Sequence, residues 1–128
     1  MSDYPVVHFE MPYDDGARAA AFYSQAFGWN VEETGPDMGN YIVLGTTPVE
    51  NRRPVQPGAI NGGIYPRQAG APAPGVCVAC DDVNAAMERV AAAGGTVNGE
   101  PMEIPGVGTY VTFSDTEGNT LSLLQPSM

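Results

Sequence analysis

Val6-Val7-His8-Phe9-Glu10-Met11-Pro12-Tyr13-Asp14-Asp15 is followed by an alanine-rich segment and then Gly28. Gly75-Val76-Cys77-Val78-Ala79-Cys80-Asp81-Asp82 begins a second passage of the same design, closing on Gly94 and Gly95. Asp14, Asp15 and Gly28 fall on Asp81, Asp82 and Gly95 at one constant offset, without a gap. Such self-similarity is an internal repeat, and it constrains the fold before any single residue does. In each copy an alternating strand runs into a double aspartate that can cap the helix behind it.

Alternation turns Val7, Phe9 and Met11 to one face of the first strand, residues 5–11, and Val6, His8 and Glu10 to the other. The following helix carries Ala19, Phe22, Tyr23, Ala26 and Phe27 at intervals of three and four, a core stripe, with Gly28 suited to its end. Trp29–Glu33 and Tyr41–Gly45 read as strands around a turn. Thr46–Gly58 reads as an irregular stretch with three prolines, and Ala59–Tyr65 as a strand containing Gly62-Gly63. Pro66–Pro74 is a linker rich in proline, glycine and alanine.

The second copy reads as strand 76–80, a helix over about 82–93 with the stripe Val83, Ala86, Met87, Val90 and Ala93, and a short strand near 96–98. A loop over Pro101–Gly108 follows, then strands through Tyr110–Phe113 and Leu121–Gln125. Each half is thus strand, helix and three strands. One half alone leaves a sheet face bare. The expectation is therefore an α+β fold of two βαβββ repeats in one curved eight-stranded mixed sheet, with a concave cup and the helices on the outer face. Residues 1–128 form a single domain: repeat one 5–65, linker 66–74, repeat two 75–126.

The net charge of −10, from 15 acidic residues against five arginines and no lysine, argues against nucleic acid or an anionic membrane surface as partner. No apolar run reaches the roughly 20 residues of a membrane span, and Met1-Ser2-Asp3-Tyr4 lacks the parts of a signal peptide, so the expected location is cytoplasmic. Cys77 and Cys80, three apart on a strand, point to opposite faces, where a disulfide or shared metal needs them to converge. They read as buried small side chains.

His8-Phe9-Glu10-Met11-Pro12, Phe22-Tyr23 with Phe27-Gly28-Trp29, the Asn61-Gly62-Gly63-Ile64 strand, Cys80-Asp81-Asp82-Val83, Gly94-Gly95 and Asp115-Thr116-Glu117-Gly118-Asn119 together resemble the vicinal oxygen chelate superfamily, the group of glyoxalase I, bleomycin-resistance proteins and extradiol dioxygenases. The resemblance spans nearly the whole chain. It implies a cup in which enzymes of the group hold a divalent metal through four strands. Carried over, those positions are His8, Gly62 or Gly63, Gly75 and Ser122, of which His8 alone carries a metal-ligating side chain.

Alternation aims His8, Glu10, Tyr110, Thr112, Thr120 and Ser122 into the expected cup. His8 is a metal ligand or acid/base on one reading and a hydrogen-bonded histidine in a partly polar cavity on the other. Glu10, on the same face, is costly there unless wet, paired or protonated. Gly62 and Gly63 permit close approach of a ligand or a neighbouring strand. Arg52 and Arg53 can receive an anionic ligand at the rim. The resulting expectation is a small-molecule-binding protein that needs no cofactor. The alternative is a divalent-metal-dependent lyase, isomerase or dioxygenase. The resemblance further implies a homodimer.

Overall fold

The structure, a computed structural model, describes residues 4–51, 53–68 and 73–127. Its elements are β1 (Val6–Tyr13), α1 (Gly16–Phe27), β2 (Asn30–Glu33), β3 (Ile42–Gly45), the short β4 (Val49–Glu50) and β5 (Arg53–Pro54), and β6 (Asn61–Pro66). After them come β7 (Gly75–Ala79), α2 (Val83–Ala92), β8 (Thr96–Ile104), β9 (Gly108–Ser114) and β10 (Thr120–Pro126). Among the described residues the fold is α+β, with eight strands in one mixed sheet and two α-helices, as the repeat predicts. None of the helices among the described residues is long and apolar enough to cross a membrane.

The chain divides into two compact units, His8–Pro74 and Met1–Val7 with Gly75–Met128. In the first-half unit the strands run β2-β3-β6-β1. β1 and β6 are parallel, with Phe9 beside Gly62 and Glu10 beside Gly63. β3 runs antiparallel to β6, with Val43 beside Gly63 and Leu44 beside Gly62. Residues in register share a face. One face therefore collects Ile42, Leu44 and Ile64, the buried core, with Phe9, Met11, Tyr13, Ala19, Tyr23, Trp29 and Val31 packed against it. Asp15 caps α1 by accepting from the Arg18 N–H, and Gly28 ends it in the left-handed conformation at φ 71°, which costs glycine nothing.

The predicted helix stripe is too wide. Ala19 and Tyr23 pack inward, whereas Phe22 and Phe27 remain 57% and 62% exposed. They stand at the flanks of the stripe, about 60° or more from its centre at the helical turn angle. The central place is filled by Trp29, stacked flat on Tyr23 at 5.1 Å.

In the second-half unit the order is β7-β10-β9-β8. Cys80, Val83, Ala86, Val111 and Leu123 form its buried core. Asp82 caps α2 by accepting from the N–H groups of Asn84 and Ala85. The expected loop over Pro101–Gly108 is strand as far as Ile104, because β8 resumes pairing with β9 after an irregularity between Asn98 and Met102. A bulge lets the ladder restart beyond Gly99 and keeps Pro101 out of the regular pairing. Within Thr46–Gly58, read as irregular, Glu50 and Arg53 pair in the β4–β5 hairpin. Cys77 and Cys80 are both buried and are not joined in a disulfide; Cys80 packs in the α2 cluster, of which Cys77 is not a member.

Candidate functional site

On the side of the first-half sheet opposite its core, three polar side chains form a chain of hydrogen bonds. The Tyr41 hydroxyl donates to Glu10 Oε2 at 3.2 Å, and His8 Nε2 lies 2.8 Å from the same hydroxyl oxygen. With the phenolic hydrogen directed to Glu10, the arrangement assigns the proton of the second bond to His8 Nε2 and leaves Nδ1 as the imidazole's acceptor. Burial pushes the His8 imidazole below its ordinary range, with the Glu10 charge opposing. At neutral pH this ring is uncharged.

Gly63 makes the arrangement possible. A Cβ on Gly63 would overlap the Tyr41 ring, so bare backbone at this point is what lets the ring lie across β6 toward β1. Gly62 does the same on the core face, where a Cβ would come within 2.5 Å of the Phe9 ring. The two glycines thus seat aromatic side chains of neighbouring strands, one on each face. Tyr65, on the Gly63 face by alternation, has its hydroxyl pKa raised by burial and by the charge of Glu10, with Arg67 opposing. Arg67 itself is held at 2.9 Å by Asp14 on the surface.

Of the residues that sequence reasoning singled out, Gly63 lies beside Glu10 on the face that carries His8, whereas Gly62, expected on that same face, lies beside Phe9 on the core face, because neighbouring residues of a strand alternate. The same reasoning missed Tyr41 and Tyr65. A signal for Tyr41 was present: two residues before Val43 on an alternating strand, it faces a glycine with no side chain of its own to fill the space.

The second-half unit carries a separate polar row. Ser122 is in register with Cys77 on β7 and with Thr112 on β9, and Thr112 with Asn98 on β8. Thr120 sits two positions from Ser122, opposite Ser114, and Tyr110 sits opposite Leu124. Ser122 is 1% exposed, and its hydroxyl finds no hydrogen-bond partner among the described residues. An unsatisfied buried hydroxyl is destabilising, so Ser122→Ala should leave the melting temperature unchanged or raise it, by up to about 1 kcal/mol of stability. A clear fall in a thermal melt would show that the hydroxyl has a partner in solution.

Arg53 lies on the exposed β4–β5 hairpin, in register with Glu50. Arg52 lies outside the described residues.

The four family metal positions do not fit a metal. His8 is bonded to Tyr41, and the space over Gly63 is taken by the Tyr41 ring. A side chain at Gly75 would press its Cβ to 2.6 Å from the Thr120 carbonyl oxygen. Ser122 is a neutral buried hydroxyl. No group of three or more histidine, cysteine, aspartate or glutamate side chains able to hold a metal occurs among the described residues.

Residues 6–47 match the model of the bleomycin resistance protein-like N-terminal family. The chain is 44% identical over 52 residues to CFP32, provisionally named a glyoxylase, from Mycobacterium bovis and from Mycobacterium tuberculosis. That alignment covers 41% of this chain and only 20% of the length of these curated relatives. Among solved structures, a variant of Streptomyces coelicolor methylmalonyl-CoA epimerase bound to 2-nitronate-propionyl-CoA is similar with a TM-score of 0.70 and 13% identity, over 96% of this chain and 97% of that one. The epimerase from Mycobacterium tuberculosis gives 0.65 and 15%, over 96% and 88%. At such identities the structural likeness speaks for the fold. Taken with the family model and the relatives, it bears out the resemblance to the vicinal oxygen chelate superfamily.

Proposed function

We propose that this chain is a glyoxalase and bleomycin-resistance-like protein that binds a small molecule over β1 and β6, recognising it through the His8–Tyr41–Glu10 hydrogen bonds and without a metal ion. The observation that carries the reading is the Tyr41 hydroxyl, held between His8 and Glu10 where metal-binding relatives of this fold need open ligand positions. The neutral His8 ring turns Nδ1 into an acceptor for a hydroxyl or amide N–H of the ligand, and the half-buried tyrosines supply apolar walls. Sites of this kind are mostly apolar with a few placed polar groups. Pairing as a homodimer and residence in the cytoplasm belong to the same proposal.

A second reading, a divalent-metal-dependent lyase, isomerase or dioxygenase, is favoured by one observation, that similar solved structures include methylmalonyl-CoA epimerases, which are isomerases. One experiment separates the two. Protein purified without chelator is expected to carry no stoichiometric transition metal by elemental analysis, and to gain thermal stability from some members of a panel of aromatic, hydroxyl- and amide-bearing compounds. That gain should shrink in Tyr41→Phe. It should also fall as pH drops below the ordinary histidine range, because protonation of His8 removes the acceptor while its depressed pKa delays that loss. About one zinc, iron, manganese or nickel per chain, lost in His8→Ala, would overturn the metal-free reading.

A further inference from the structure

The second-half unit contains a groove on its core side, away from the polar row. Its walls are Val78, Phe113 and Leu123 from the sheet and Ala86, Val90 and Ala92 from α2, with Ala93 at the helix's C-cap and Tyr4 and Arg89 at the mouth, and its volume is about 530 Å³. The reason lies in the helix sequence. Ala86 and Ala92 on α2 and Ala93 at its C-cap are all small, which leaves a shallow apolar groove beside the sheet where longer side chains would fill it. The volume falls within the roughly 300–1,000 Å³ typical of small-molecule sites.

Among the described residues that line the groove, Arg89 alone is ionic. Its guanidinium lies 5.4 Å from the centre of the Tyr4 ring, and no carboxylate among the described residues is in an ion pair with it. In a chain with net charge −10 and five basic residues, a guanidinium on a tyrosine face at the mouth of an apolar slot is a specific provision.

We infer that this groove binds a medium-chain aliphatic carboxylate, its hydrocarbon tail between α2 and the sheet and its carboxylate on Arg89. This site is distinct from the His8–Tyr41–Glu10 cluster and does not rest on the function proposed for it. Each methylene drawn from water adds about fourfold in affinity, so the tail sets strength and the guanidinium sets the preference for an anionic head.

Calorimetric titration with octanoate, decanoate and decanol tests this. Decanoate should saturate one site per chain, octanoate should bind about 15-fold more weakly for its two missing methylenes, and decanol should bind at least about tenfold more weakly than decanoate. Arg89→Gln, at an exposed position, should erase the difference between decanoate and decanol. Ala92→Phe should block both, with an unchanged thermal melt showing that the variant folds. Decanoate without saturable binding up to about 1 mM, decanol as tight as decanoate, or affinity untouched by Arg89→Gln would overturn the proposal. So would a dimer in light scattering that Ala92→Phe breaks and decanoate does not, because a second copy would then cover the groove.

Discussion

Gly63→Ala should dismantle the polar site while leaving the fold in place. The added methyl overlaps the Tyr41 ring, and a tyrosine can swing away more easily than β6 can move. Both hydrogen bonds of the Tyr41 hydroxyl go with it, at about 1 kcal/mol each. The chain has one histidine, so NMR titration reads the event without assignment. Burial now holds the His8 pKa down. Removing the ring that covers it should return the imidazole toward its ordinary value, and the ligand-induced stabilisation should vanish. An unshifted His8 titration in the variant would mean that Tyr41 has kept its place and that Gly63 is not what seats it.

Phe9→Ala should be the most damaging single substitution on β1, at about 3 kcal/mol, near the lower end of phenylalanine truncations because Phe9 is only half-buried. Its ring sits 6.1 Å from Trp29 and over the bare backbone of Gly62, so truncation leaves a void that no neighbouring side chain is placed to fill. Glu10→Gln, one residue along and on the other face, keeps the shape and the acceptor for Tyr41. It should change stability by less than about 1 kcal/mol. Thermal melts of the two variants beside wild type are enough. Equal losses would mean that Glu10 is a structural residue and that the opposite face of β1 is not a ligand face.

The contrast between Phe9 and Glu10 was legible in the sequence because a strand's alternation states its two faces outright, and the constant offset between the double aspartates stated the two halves. The width of the α1 stripe was not legible. Periodicity identifies residues that can face inward, but Trp29, beyond the helix, decides how many of them do. The strand character of Pro101–Ile104 was hidden by its proline and by Gly99, signals that mark a bulge as readily as a loop. At the site, His8 and Glu10 could be found from their own strand. Tyr41 could not be paired with them by counting, since its place depends on β6 lying between β1 and β3 and on the missing side chain at Gly63.

The distribution of two rare side chains gives the molecule reporters of its own. Trp29, the single tryptophan, packs against the core of the first-half unit, while both thiols, at Cys77 and Cys80, are buried in the second-half unit. Indole fluorescence therefore follows opening of one half, and the rate at which a thiol reagent reacts follows opening of the other. Comparing the two in one denaturant series distinguishes a chain that unfolds all at once from one whose repeats let go in turn, with no label attached and no residue changed.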